Sequence, residues 1–188
     1  MIGRKRGRVL VARAPAAKAA GDLAAFDAGA RGEWFWHQPA WSKRAWVLEV
    51  DGRAVAELAG ESMFSSLSHV RFAHATYDVH RGWLGNAELR AAGSDEPIAR
   101  FQLRWSGDGN ITAANGDTLE LVAKGFWKRS SELRTADELP LLRFEVQDAF
   151  VRQEARIVFE DGARRRPDLA ELLALASALL FAPKRQTA

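Results

Sequence analysis

An all-β barrel of about twelve antiparallel strands, enclosing one hydrophobic C-terminal α-helix, is the fold this sequence predicts, and three observations predict it. From Trp34 onward apolar and polar residues alternate with period two, the pattern of strands with one buried face. Turn signals such as Asp51-Gly52, Gly107-Asp108-Gly109-Asn110, Asn115-Gly116 and Asp161-Gly162 recur at roughly ten-residue intervals, as in a sandwich or barrel. The period then changes once, at Leu169 to Ala182, where leucine and alanine occupy nearly every side of a helix. A helix apolar all round must be surrounded by protein or by lipid.

Taken in order, residues 1–30 form a basic, Ala/Gly-rich N-terminal segment: an edge strand at Val9 to Ala12 and a helical turn at Leu23 to Ala28, or a partly disordered tail. The apolar stretch behind Arg4-Lys5-Arg6 stops at Arg13, too early for a secretion signal. Residues 31–188 form a single barrel domain. Trp46, Leu48 and Val50 line one strand face, Asp51-Gly52 supplies a tight hairpin turn, and Arg53 to Leu58 returns. Further strands are predicted at Val70 to Val79, Trp83 to Arg90, Pro97 to Trp105, Thr118 to Ala123, Phe126 to Leu133, Leu141 to Val146 and Phe150 to Glu160. Pro97 to Trp105 is the clearest, with Ala99, Phe101, Leu103 and Trp105 on its buried face.

The closing helix spans about 168–182. Asp168 favours its positive N-terminal end, Pro183 ends it, and Leu169, Leu172, Leu173, Leu175, Leu179 and Leu180 are its core residues. At ~1.5 Å per residue it reaches about 21 Å, whereas a bilayer core needs roughly 30 Å. A sheet of a dozen strands must split or close, and a closed ring that wide needs a filler, which this helix supplies.

Composition narrows the chemistry. The chain has no cysteine, which removes disulfides, thiolate metal sites and Cys nucleophiles and fits a reducing cytoplasm. With 27 Lys and Arg against 24 Asp and Glu, the net charge of +3 gives only a weak pull toward anions. His37, His69, His74 and His80 show no metal-ligand spacing, with His69 and His74 expected on opposite faces of one strand. Asp108 to Thr112 begins like a calcium loop, but Ala113 and Leu119 stand where Gly and Glu are required, so it reads as a hairpin turn. Ser62, Ser65, Ser66 and Ser68 form a polar loop without a nucleophile elbow, and Asp95-Glu96 reads as a solvated turn. No phosphate-binding or dinucleotide loop is present. The sequence thus predicts no catalytic residue, no metal and no cofactor, and it shows no nucleic-acid-binding face.

Seven tryptophans are many for 188 residues. Trp34, Trp36, Trp41 and Trp46 cluster where large rings would fill the space between sheet and helix; the other use for such rings is at a barrel end against a membrane surface. Basic clusters occur at Arg4-Lys5-Arg6, Lys43-Arg44, Lys128-Arg129, Arg164-Arg165-Arg166 and Lys184-Arg185. The candidate lipid- or anion-binding residues are Lys43, Arg44, Lys128 and Arg129.

A family resemblance rests on features in a fixed order. They are Arg100-Phe101 in a strand ending Arg104-Trp105, Gly107-Asp108-Gly109-Asn110-Ile111, Asn115-Gly116-Asp117, Phe126-Trp127-Lys128-Arg129, Leu141-Leu142-Arg143-Phe144 and the terminal Leu/Ala helix. Over residues 34–182 the chain resembles the tubby-like superfamily, which includes the tubby C-terminal domain, the phospholipid scramblases and the LURP-one-related proteins. The resemblance implies a twelve-stranded barrel threaded by its C-terminal helix, no enzymatic activity, and association with membrane phosphoinositides or lipids. Tubby's phosphoinositide-contacting residues and the scramblase calcium segment match nothing here, so no binding residue is carried over.

The expected function is therefore that of a non-enzymatic cytoplasmic barrel, peripheral to the membrane, whose partner is an anionic phospholipid or a protein. Two alternatives stand beside it: a membrane tail anchor through 169–182, and a small-molecule or enzymatic pocket at a barrel mouth.

Overall fold

The computed structural model describes residues 22–39, 45–60, 66–124, 130–148 and 153–181. Twelve strands run in chain order: β1 (Trp34–His37), β2 (Ala45–Val50), β3 (Arg53–Gly60), β4 (Leu67–Phe72), β5 (Thr76–Arg81), β6 (Ala87–Ala91), β7 (Pro97–Leu103), β8 (Gly109–Ala113), β9 (Thr118–Lys124), β10 (Ser130–Thr135), β11 (Pro140–Asp148) and β12 (Gln153–Phe159). Each pairs antiparallel with its neighbours in sequence, and β1 pairs with β12 to close the barrel, Trp34 lying between Ile157 and Val50. A helical turn, α1 (Asp161–Arg164), and a longer helix, α2 (Leu169–Phe181), follow.

Period-two alternation places one face of each strand in a shared apolar core. Trp34, Trp36, Leu48, Leu58, Leu89, Ile111, Leu133 and Phe144 are fully buried there. Leu169, Leu172, Leu173 and Leu175 of α2 are buried in the same cluster, and Leu179 and Leu180 are half-buried against it. Each fully buried leucine stabilises the fold by roughly 1.5–3 kcal/mol. The helix packs along β3 to β7 and is tied by polar groups at both ends. Near its start Tyr77 Oη donates to Glu171 Oε1 at 3.0 Å. In its last turn the Ala178 carbonyl accepts from Arg81, a cation where the helix dipole favours one. Phe181 then stacks on Trp46 at 4.8 Å between centroids, with Trp36 and Phe144 edge-on or tilted about 6 Å away.

The two ends of the barrel differ. We call the end where the even-numbered strands finish the lower rim and the other the upper rim. Residues 22–30 pack at the lower rim: Ala24 N donates to the Ala54 carbonyl at 2.8 Å, and Phe26 meets Trp34, Phe72 and Phe159 at 5.5, 5.3 and 6.5 Å. Arg164 of α1 donates to the carbonyls of Ala28 and Ala30 and lies 5.6 Å from the centre of the Phe159 ring.

Several local expectations are corrected. Leu23 to Ala28 has no regular structure before a turn at Asp27 to Ala30, in place of a helical turn. The single strand expected over Val70 to Val79 is two, β4 and β5, because Phe72 N donates to the Ala75 carbonyl and folds Ala73-His74-Ala75 into a turn. His69 and His74 therefore do not share a strand; His69 Nδ1 lies 2.7 Å from Asp78 Oδ1, and His74 sits in that turn. Trp83 to Gly85 is a 3₁₀ turn preceding β6, and Asp161-Gly162 opens α1 in place of a hairpin turn. All twelve strands lie within 34–159; the edge strand expected at Val9 to Ala12 lies outside the described residues.

The outer wall is charged. Arg71 pairs with Glu57 at 2.7 Å, Arg104 and Arg134 share Glu120 at 3.0 and 2.8 Å, and Lys124 meets Glu132 at 2.7 Å. Hydrogen bonds from Arg90, Arg166 and Arg134 hold the carboxyls of Glu88, Asp117 and Glu120, respectively, below their ordinary range. Such pairs add little stability each, but they define the wall. A lipid-spanning barrel turns an apolar band outward, and here the apolar side faces in. No helix among the described residues is long and apolar enough to cross a membrane.

Two outcomes follow. Leu173→Ala should lower the unfolding free energy by about 2–5 kcal/mol, against a change within about 0.5 kcal/mol for exposed Leu139→Ala, both read by urea denaturation. Tyr77 is the one tyrosine of the chain, and burial, then the charge and hydrogen bond of Glu171, push its phenol far above the ordinary range. A raised phenol pKa contributes stability that is fully present below about pH 10 and is lost as pH climbs beyond it. Phenolate absorbance should therefore stay absent until the fold itself gives way in strong alkali, and Glu171→Gln should bring it to lower pH.

Candidate functional site

The upper rim holds the groups that the core does not use. Between β5 and β6 the chain turns through Gly82 to Asn86, closed by Gly82 N donating to the Asn86 carbonyl at 2.8 Å. Its tip is Trp83 and Leu84, 81% and 79% exposed. Leu84 takes φ 67° and ψ 16°, a left-handed conformation that costs a residue with a Cβ roughly 1–2 kcal/mol. Gly85 follows at φ 81°, a conformation that favours glycine, and it lies against the Leu103 side chain, whose tip would have to move to admit a Cβ.

Between β7 and β8 a second tip forms. Arg104 N donates to the Asp108 carbonyl at 2.7 Å and Gly107 N to the Arg104 carbonyl at 3.0 Å. Trp105 at this tip is fully exposed and Leu103 is 43% exposed. The tips are fixed to each other and to the wall. Leu103 N donates to Asn86 Oδ1 at 3.3 Å, Ala123 N donates to Asp108 Oδ1 at 3.0 Å, and Arg104 is held by Glu120. Five large apolar side chains are exposed among the described residues, and four of them, Trp83, Leu84, Leu103 and Trp105, are at this rim.

The same rim is where strand connections carry aromatic and basic residues. Its six strand-to-strand connections (38–44, 61–66, 82–86, 104–108, 125–129 and 149–152) each contain Trp or Phe. The five at the lower rim contain neither. The upper connections hold six Lys or Arg and two acidic residues. The lower ones, with 160–168, hold three Lys or Arg and nine acidic residues. The candidates Lys43 and Arg44 belong to the β1–β2 connection and Lys128 and Arg129 to the β9–β10 connection, both at this rim by chain order; all four, with Trp41, lie outside the described residues.

Other sequence candidates serve the fold. Trp34, Trp36 and Trp46 are core rings. Arg164 binds backbone carbonyls, and Arg166 binds Asp168 and Asp117 at 2.8 and 2.9 Å. Both line a lower-rim cleft of about 530 Å³ with Phe26, His74 and Leu169, and each is held by the protein's own acceptors. His37 Nε2 faces Glu49 Oε1 at 3.2 Å, both buried. No cluster able to hold a metal ion occurs among the described residues.

Leu103 and Trp105 were expected on the buried face of β7 and are not: Ala99 and Phe101 are buried, but the strand stops at Leu103 and the next residues project past the barrel end. The signal was the glycine pair Gly107 and Gly109, which sets the turn and so limits the strand's length. Comparison with protein-family models, with curated proteins and with solved structures gave no match.

Leu84 contributes strain without burial. Leu84→Gly should raise the unfolding free energy by up to about 1 kcal/mol, relief of the left-handed cost outweighing the added freedom of glycine in the unfolded chain, as read by thermal or urea denaturation.

Proposed function

We propose that this chain is a non-enzymatic barrel, plugged by α2 in the manner of the tubby-like superfamily it resembles, which docks its upper rim on an anionic membrane surface. The observation that carries the reading is the sorting of the connections: aromatic and basic residues gather at one end, acidic residues at the other. Trp favours the membrane–water interface because its ring has an apolar body and a polar edge. Basic residues near an anionic leaflet contribute about 1 kcal/mol each, and the acidic lower rim is repelled by the same field, so an upright barrel is favoured. The charged outer wall leaves an end as the contact. Burial of α2 with Glu171 tied to Tyr77 and Ala178 tied to Arg81 supports the plug. The site of action that fits is the cytoplasmic face of a membrane, as a peripheral protein.

Co-sedimentation with vesicles tests this. Binding is expected to phosphatidylcholine vesicles containing about a third phosphatidylserine, to be weak without it, and to fall as salt rises. The combined variant Lys43→Ala, Arg44→Ala, Lys128→Ala, Arg129→Ala should lose about 10²–10³-fold in affinity, at roughly 1 kcal/mol per charge. Equal binding to neutral and anionic vesicles, or none to either, would overturn the reading.

A further inference from the structure

Resting on the membrane reading above, we propose that the β5–β6 and β7–β8 tips form a rigid two-pronged anchor that penetrates below the headgroups of a loosely packed anionic bilayer, with Leu84 as its deepest residue. Surface charge alone would require no such device. Electrostatic docking needs mobile cations near phosphates, whereas this rim presents Trp83, Leu84, Leu103 and Trp105 to solvent, none of which gains from charge. Exposed apolar groups gathered in this way mark a surface awaiting an apolar partner.

The backbone argues the same point independently. A position at φ 67° and ψ 16° that is 79% exposed would suit glycine or asparagine. A branched aliphatic residue there gains nothing from the protein's own core. Strained, exposed residues of this kind point to a functional demand, and the demand that leucine meets is burial in something apolar.

The anchor is also preorganised. Gly82 N to the Asn86 carbonyl, Leu103 N to Asn86 Oδ1 and Ala123 N to Asp108 Oδ1 hold the two tips in one frame. Gly85 packs directly against the Leu103 side chain, so the two tips touch. Little conformational freedom remains to be lost on insertion, which favours affinity. The neighbouring connections of the same rim, 38–44 and 125–129, carry Lys43-Arg44 and Lys128-Arg129, and these supply the charge complementarity that selects an anionic bilayer. Loose packing matters because a wedge of indole and leucine enters most readily where acyl chains are already accessible.

The full chain has no native cysteine, so Leu84→Cys can carry a single environment-sensitive fluorophore, with Asp137→Cys at the lower rim as control. On dioleoyl phosphatidylcholine/phosphatidylserine vesicles the label at 84 should shift to the blue and be quenched by acyl-chain nitroxides, while the label at 137 stays aqueous. Saturated, tightly packed vesicles of equal charge should give a smaller shift. Leu84→Asp should lose about 10–100-fold in vesicle affinity with no fall in its thermal midpoint, and the wild-type chain should keep part of its binding in high salt. Sedimentation with anionic vesicles in which the label at 84 stays aqueous and Leu84→Asp binds undiminished would overturn the anchor and leave electrostatic docking standing. Absence of vesicle binding, with light scattering showing a dimer that Leu84→Asp splits, would overturn both readings and make the rim a contact between copies.

Discussion

The pairing of β1 with β12 is the constraint on which the molecule depends. β1 has four residues, yet it bonds both neighbours and turns a meander into a ring without edges, removing the unpaired backbone that an open sheet would offer to other chains. Its register has one solution. With Trp34 and Trp36 inward the two largest side chains of the strand enter the core; a slip by one residue would bury Phe35 and His37 there and expose both indoles. The interior is thus specified at the seam, by the residues with most apolar surface to lose.

What the core uses sets what is left for the barrel's ends. Inner-face residues and α2 share one apolar cluster, and the outer wall is laced with Arg–carboxylate pairs. Among the described residues, neither surface leaves a large apolar side chain strongly exposed. The rims are free of both demands, and the lower one is occupied by Phe26 and α1. Only the upper rim combines exposed rings, a strained leucine and a frame of hydrogen bonds that orders them.

The sequence showed the barrel's strands and the helix clearly because their periods differ and each runs long enough to read. It hid other features for physical reasons. Ala73-His74-Ala75 turns without Gly, Pro, Asn or Asp, so nothing marks the break between β4 and β5. Leu103 and Trp105 continue the alternation of Ala99 and Phe101, and pattern alone cannot tell where the barrel wall stops. Trp83 sits among strand-forming neighbours and reads as one of them. The segregation of the rims was hidden most thoroughly. Along the chain, basic-aromatic and acidic connections alternate and nearly cancel, giving a net charge of only +3. They separate only once antiparallel strands gather every second connection at one end. The pairs Lys43-Arg44 and Lys128-Arg129 were legible as charges, but their shared rim became visible only through the topology.

The tie between Tyr77 and Glu171, 94 residues apart, has a consequence for how the chain is made. Every strand leaves the ribosome before the segment that shares its apolar face, because α2 follows all twelve. Until then some of the largest inner side chains lack their partners, and the nascent protein is a curved, sticky sheet exposed to whatever else is apolar nearby. Completion of the core therefore waits on synthesis of α2, and a chain cut short before Leu169 would lack the apolar partner of its inner face.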